Sequence, residues 1–122
     1  MRRYAVLAAA AAGILLAVPA QAGDAAAGAK VFRKCKSCHN VDKEKNKSGP
    51  HLVNIVGRAA GSVAGFKYSK AMKNSGLTWD EATLAGFLAK PKSYLKGTRM
   101  AFAGLKKEAD IANVIAYLKD PK

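Results

Sequence analysis

The chain has 122 residues, of which 50% are hydrophobic, and a formal net charge of +13. This length supports one small domain, whose core is thin unless a large apolar group completes it. Two cysteines are too few for a disulfide framework, so another source of stability is expected.

Residues 1–22 have the pattern of a secretory signal peptide. Two arginines precede an apolar run, residues 5–18, and a proline and the small-residue sequence AQA follow it. The alternative is an uncleaved membrane anchor, which the shortness of the run and the cleavage pattern disfavour. We therefore expect cleavage before Gly23, export to the periplasm, and a single mature domain at residues 23–122.

The first half of the mature chain reads as a helix, a long loop and a short helix. Asp24 is a candidate N-cap, and apolar residues recur after it at helical spacing as far as Cys35. Residues 40–68 have no helical period and are rich in Asn, Lys, Gly and Ser. A loop of this length in a small domain is usually functional or wraps something. A short helix is expected at residues 69–75, where Gly76 ends it.

Two longer helices are predicted in the second half. Thr78 and Glu81 have the spacing of a capping box, which predicts a helix that begins after Thr78 and ends at Pro91. Residues 91–105 are expected to be a loop, and the last helix is expected to begin near Lys107. Its apolar stripe consists of Ile111, Val114, Ile115 and Leu118. No strand signal is convincing, so the predicted fold class is small and all-α.

Residues 35–39 read CKSCH, which is the Cys-x-x-Cys-His motif of covalent haem c attachment. Two intervening residues in a turn allow the thiols of Cys35 and Cys38 to reach the two vinyl groups of one porphyrin. The adjacent imidazole of His39 can then bind the iron as the proximal ligand. The sequence therefore predicts one covalently bound haem c as the cofactor.

Three other uses of this motif are less favoured. A thioredoxin-type dithiol belongs to a βαβ context that the sequence lacks. A zinc site needs four ligands, and the neighbours Cys38 and His39 cannot easily reach one metal together. A disulfide across so short a loop would constrain the unfolded chain little.

The second axial ligand decides whether the iron transfers electrons or binds small molecules. The candidates are His51, Met72 and Met100. His51 follows His39 closely and would have to pass round the haem edge to reach the other face. Met72 lies in or beside a short helix, where methionine commonly fills a core. Met100 lies in a loop far along the chain and is the favoured ligand, with loop packing as its alternative role.

Together, these motifs resemble the class I cytochromes c of bacteria and mitochondria. The resemblance runs almost throughout residues 23–119, and the matching stretches include GDAAAGAKVF, KCKSCH, SGPHL, GFKYSKAMKNSGLTW, GTRMAFAGLKK and VIAYLK. It implies helices and long loops wrapped around one haem. It also implies that Cys35 and Cys38 carry the haem and that His39 and Met100 bind its iron.

The resemblance assigns further residues to the surroundings of the haem. The carbonyl of Pro50 is expected against the other ring nitrogen of His39, where it would fix the imidazole. Arg58, Tyr68 and Trp79 match residues around the haem propionates. Gly28 and Phe32 match first-helix residues that cross the last helix.

Some positions depart from the usual pattern of the family. Phe87 stands where a tyrosine commonly reaches toward the methionine sulfur, Met72 where an asparagine is common, and Lys96 where a proline is common. Ser93 and Arg99 match two lysines that commonly replace the methionine at high pH in related cytochromes. The first three departures concern the fine tuning of the iron, and the last two concern the replacement of its methionine ligand at high pH.

The resemblance implies a soluble periplasmic one-electron carrier that is not an enzyme and works as a monomer. It would move electrons between a membrane cytochrome complex and a terminal oxidase or another acceptor. A small haem peroxidase would need an open sixth site and a distal His–Arg pair, which the sequence does not show. A gas-binding sensor is a weaker alternative.

The strong positive charge favours acidic partners. The expected partners are membrane-bound redox complexes with acidic docking faces. The lysines that match the family's ring around the haem edge include Lys34, Lys47, Lys92 and Lys107. Nucleic acid is not expected, because the chain is predicted to be exported and has no basic–aromatic motif.

Overall fold

The computed structural model of the chain describes Gly13 and residues 23–122. Apart from Gly13, the predicted signal peptide lies outside the described residues. The helices are α1 (Ala25–Val31), α2 (Lys70–Lys73), α3 (Glu81–Ala89), α4 (Pro91–Tyr94) and α5 (Glu108–Lys119), and a 3₁₀ turn (Phe32–Lys34) follows α1. The described residues form no strand, and one isolated antiparallel bridge pairs Ala59 with Thr78. The predicted all-α fold is confirmed.

Helices α1 and α5 cross in direct contact at Gly28. A Cβ atom on Gly28 would lie 1.9 Å from the Asn113 carbonyl oxygen, so this approach of two backbones requires glycine. The rings of Phe32 and Tyr117 lie beside the crossing with their centroids 5.3 Å apart. At the start of α1, the carboxylate of Asp24 accepts a hydrogen bond from the Ala26 N–H over 2.9 Å. The cap and the crossing hold the N-terminal helix against the C-terminal one.

The core lies mainly between α5 and α3. The apolar stripe of α5 is buried as its spacing predicts, and Val114 is only 2% exposed. From α3, Leu84 and Leu88 are buried in the same cluster. Within the described part of the chain, no helix has the length and apolar character needed to cross a membrane.

The predicted capping box at Thr78 and Glu81 is wrong. Asp80 is the N-cap of α3, and its Oδ1 accepts from the Thr83 N–H over 2.7 Å. Glu81 is therefore the first helical residue, and it forms an ion pair with Lys119 of α5. The segment around Thr78 is held elsewhere, because the Ala60 N–H donates to the Leu77 carbonyl and the Trp79 N–H to the Arg58 carbonyl, both over 2.8 Å.

The predicted loop at residues 91–105 begins with a helical turn instead. Helix α3 ends at Ala89, and Pro91 then occupies the first position of α4. Proline suits this position because it lacks an N–H and its φ is already helical. The ring of Tyr94 in α4 packs over Gly86, where a Cβ would lie 2.5 Å from the ring. Proline therefore separates two packed helices.

Candidate cofactor site

The CKSCH segment forms a tight turn directly after the 3₁₀ turn that follows α1. The N–H groups of Cys38 and His39 both donate to the Cys35 carbonyl, over 3.1 and 3.0 Å. Cys35 is half-buried and Cys38 is exposed, and both thiols are free. Burial raises the pKa of the Cys35 thiol, whereas hydrogen bonds from the Ser48 and Ser37 side chains lower the pKa of Cys38. The turn thus presents two thiols and an imidazole from one short segment.

The imidazole of His39 is held from one side by the Gly49-Pro50 turn. Its Nδ1 lies 2.6 Å from the Pro50 carbonyl oxygen. A carbonyl can only accept, so Nδ1 carries the proton and Nε2 is left as the atom able to bind a metal. Desolvation by burial lowers the pKa of His39, which favours the neutral ring that binds metals.

Gly49 allows the turn to approach the ring so closely. A Cβ on this residue would lie 2.4 Å from Cε1 of His39. The local sequence indicates no function for Gly49, because the contact depends on where the loop returns. The dipeptide Gly-Pro was the available signal.

The long loop is held in place by Asn46, which the sequence reasoning also missed. Its Oδ1 accepts from the His51 N–H over 3.0 Å, and its Nδ2 donates to the Ala64 carbonyl over 3.3 Å. One amide therefore joins two parts of the loop. Nothing in the local pattern distinguishes this asparagine from the other polar residues around it.

Arg58 is half-buried and is bound by the loop on one side only. Its Nη1 and Nη2 donate to the carbonyls of Val53 and His51, over 3.1 and 2.9 Å. Its Nε is buried and has no hydrogen-bond partner among the described residues. A buried N–H without an acceptor is costly, and a ligand carboxylate would satisfy it. Desolvation lowers the pKa of Arg58, but a guanidinium remains charged at ordinary pH.

The other two predicted haem neighbours, Trp79 and Tyr68, make different contacts. Trp79 is 6% exposed, and its ring packs against Phe87 with the centroids 5.0 Å apart. The hydroxyl of Tyr68 accepts from the Val63 N–H over 3.0 Å. Trp79 is linked to Arg58 through the backbone, because the Trp79 N–H donates to the Arg58 carbonyl over 2.8 Å.

The three candidates for the second axial position differ in their surroundings. Met72 and Met100 are both half-buried and pack against the core. Nδ1 of His51 accepts from the Val53 N–H over 3.3 Å, so one ring nitrogen is already engaged. The loop before Met100 turns at Gly97, whose φ is +92°. Arg99 ties this loop to the Tyr68 carbonyl over 3.1 Å.

The residues present fit a haem c group. The turn supplies two free thiols and a neutral imidazole, and Arg58 supplies a buried donor that lacks an acceptor. Among residues 23–122, no group of three or more His, Cys, Asp or Glu side chains could hold a metal ion. The class of protein that this helical fold and the Cys-x-x-Cys-His turn indicate is one that carries covalently attached haem c.

Comparison with known proteins identifies the family. The sequence model of the family described as Cytochrome c matches residues 25–122, and the chain belongs to this family. The chain is 56% identical over 88 residues to cytochrome c2 iso-2 of Magnetospirillum fulvum, covering 72% of this chain and 92% of that protein. It is 55% identical over 98 residues to cytochrome c2 of Rhodomicrobium vannielii, covering 80% and 78%.

A solved structure gives the same result. Cytochrome cH from Methylobacterium extorquens matches with a TM-score of 0.76 at 49% identity, over 80% of this chain and 98% of that one. The protein is therefore a class I cytochrome c with one covalently bound haem c, and it carries electrons rather than acting as an enzyme. The predicted family, fold and cofactor are confirmed.

Proposed function

We propose that the protein is a monomeric periplasmic shuttle, delivered by a cleaved signal peptide at residues 1–22 and functioning as the domain at residues 23–122. It takes one electron from a membrane-bound cytochrome complex and passes it to a terminal oxidase or another acceptor. Periplasmic delivery is supported by the charged start, short apolar run and small-residue site of the N-terminal sequence.

In this proposal, Cys35 and Cys38 form the thioethers, and His39 and Met100 are the axial ligands. Bound in this way, haem iron changes between its ferric and ferrous states by one electron. The observation that carries the proposal is the contact between His39 Nδ1 and the Pro50 carbonyl at 2.6 Å. It fixes the tautomer and orientation of the ring, as expected of a permanent ligand.

The surrounding residues would bind the haem carboxylates and exclude water. Arg58 would donate its free Nε–H to a propionate, while its other nitrogens stay bound to the loop. Trp79 would shield this part of the site, because it is almost fully buried. Tyr68 would stabilise the same side of the site, because its hydroxyl binds the Val63 N–H and so closes the loop between them.

Docking would use the lysines matched to the haem edge. Lys34, Lys92 and Lys107 are exposed and form no ion pair with the described residues, where the only ion pairs involve Lys119 and Lys122. Unpaired exposed cations attract an acidic partner over distances of about a Debye length, ~10 Å at 0.1 M salt. They are expected to raise the association rate more than the final affinity.

The test is the rate of electron transfer from the reduced protein to an acidic membrane oxidase as ionic strength rises. We expect the rate to fall steeply with salt, and the slope to become smaller in Lys92→Gln. Lys73→Gln, which removes an equally exposed charge from α2, is the control. A salt-independent rate, or rapid binding of carbon monoxide to the reduced protein, would contradict the shuttle function.

A further inference from the structure

Lys47 connects the long loop to the haem-attachment turn through its side chain. Its Nζ donates to the carbonyl of Lys36, inside CKSCH, over 2.8 Å. Two residues further on, the Gly49 N–H donates to the Cys38 carbonyl, also over 2.8 Å. The Lys47 N–H in turn donates to the Gly49 carbonyl over 2.9 Å. The segment from 47 to 49 is thus closed on itself and bonded twice to the turn.

The position of this segment determines the contact with His39. Pro50 follows Gly49 directly, and its carbonyl oxygen is the acceptor for Nδ1. Gly49 lies so close to the ring that a Cβ on it would be 2.4 Å from Cε1 of His39. An outward movement of the segment would lengthen the Nδ1–H···O bond, and the ring has no other hydrogen-bond partner among the described residues.

We propose that Lys47 is a positioning residue for the proximal imidazole: its ammonium group holds the 47–50 segment against the turn and so sets the strength of the His39–Pro50 hydrogen bond. This inference rests on the proposed axial role of His39. Lys47 would then have a second role, in addition to the docking role that the resemblance implies.

Lysine suits this position for a physical reason. Its long aliphatic stem spans the gap between loop and turn, and a charged donor makes a stronger bond to a carbonyl than a neutral one does. The bond is exposed to solvent, so its contribution is modest. A modest contribution is still measurable, since it acts on a hydrogen bond that tunes the electron density of the imidazole.

Losing the charge of Lys47 and losing its hydrogen bond to the attachment turn have opposite effects on the reduction potential. Removing a cation near the iron favours the ferric state and lowers the potential. Loosening the Nδ1–H bond makes the imidazole a poorer electron donor, which favours the ferrous state and raises the potential. A matched control for charge separates the two effects. Lys45 provides it, because it lies in the same exposed loop and its ammonium has no hydrogen-bond partner in the described region.

The experiment compares the haem-loaded wild type with Lys47→Met, Lys45→Met and Lys47→Arg. Hydrogen exchange of His39 Nδ1–H is followed by NMR, and the potential is measured by redox titration. We expect exchange about threefold faster in Lys47→Met, as the loss of one exposed hydrogen bond implies, and unchanged exchange in Lys45→Met. The potential of Lys47→Met should lie above that of Lys45→Met, and Lys47→Arg should return the exchange rate toward wild type.

Equal exchange rates in Lys47→Met and Lys45→Met would overturn the positioning role. Failure of the underlying ligand assignment would look different. In that case, the His39 ring signals of the ferric wild type would lack the large paramagnetic shifts of an iron ligand before any variant is compared.

Discussion

Arg58 binds the backbone carbonyl of His51 over 2.9 Å while its own buried Nε stays without a partner in the described chain. One side of the guanidinium thus belongs to the loop and the other is available to a haem carboxylate. Arg58→Met would remove both sets of contacts. We expect a loss of about 1–2 kcal/mol in unfolding free energy, because two part-buried carbonyls lose their donors.

The same substitution should also lower the reduction potential, since an unpaired propionate charge near the iron favours the ferric state. Redox titration of the loaded protein measures this shift, and Arg33→Met, an exposed arginine, is the control. An unchanged potential in Arg58→Met would show that Nε does not serve a propionate.

The alkaline behaviour should depend on Lys96. It is exposed and directly precedes the turn at Gly97, whereas Ser93 and Arg99 stand where the resemblance expects the usual replacing lysines. Serine is a poor ligand for ferric haem, and arginine stays protonated at accessible pH. We predict that any lysine-bound form at high pH uses Lys96 first. A pH titration of the methionine–iron absorption band should show a higher midpoint in Lys96→Ala and little change in Lys92→Ala. The same midpoint and the same replacing ligand in Lys96→Ala and wild type would disprove this role.

Phe87 offers a test of what sets the reduction potential of the iron. Its ring is 5% exposed and packs against Trp79. The resemblance places a tyrosine hydroxyl at this position near the methionine sulfur, where it would draw electron density from the iron. Phe87→Tyr should therefore raise the potential modestly, as measured by redox titration. A lower potential would indicate that the hydroxyl acts through repacking of a filled core or through added solvation.

Asp80 makes the stability of α3 depend on pH. Hydrogen bonds from Thr83 hold the pKa of this carboxyl below its ordinary value. The folded state therefore binds the proton less readily than the unfolded state, so the cap stabilises above pH ~4 and loses its contribution as pH falls through the folded pKa.

Thermal unfolding of variants at neutral and acidic pH measures this dependence. Asp80→Ala should lower the melting temperature at pH 7 and lower it less at acidic pH. Asp80→Asn should keep the cap without its titration, because its amide oxygen still accepts. Asp42→Ala, in an exposed loop, is the control. An equal deficit of Asp80→Ala at both pH values would contradict the titrating cap.

Short-range sequence patterns correctly predicted those helices and caps whose interacting residues lie close together in the chain. The apolar stripe of α5 and the Asp24 cap of α1 both depend on residues within a few positions of one another. The attachment motif is likewise contiguous, and the family comparison confirms its cofactor.

The errors and omissions involve contacts between distant segments. Thr78 failed as a cap because its backbone pairs with Ala59, and no local pattern reports that bridge. Pro91 predicts the end of a helix from its chemistry alone, whereas in the structure it also begins α4. Gly49 and Asn46 were missed because their partners, His39 and Ala64, are brought to them by the loop. The assignment of individual residues to the haem stays a prediction.

The central claim is that Met100 and His39 hold the iron from its two sides. Its most direct test is the absorption spectrum and reduction potential of Met100→Ala beside those of Met72→Ala, since both methionines are half-buried against the core. We predict that Met100→Ala keeps its covalent haem, loses the weak red methionine–iron band of the ferric state and falls in potential, because a thioether favours ferrous iron. Met72→Ala should keep the band. A wild-type band and potential in Met100→Ala would contradict the account.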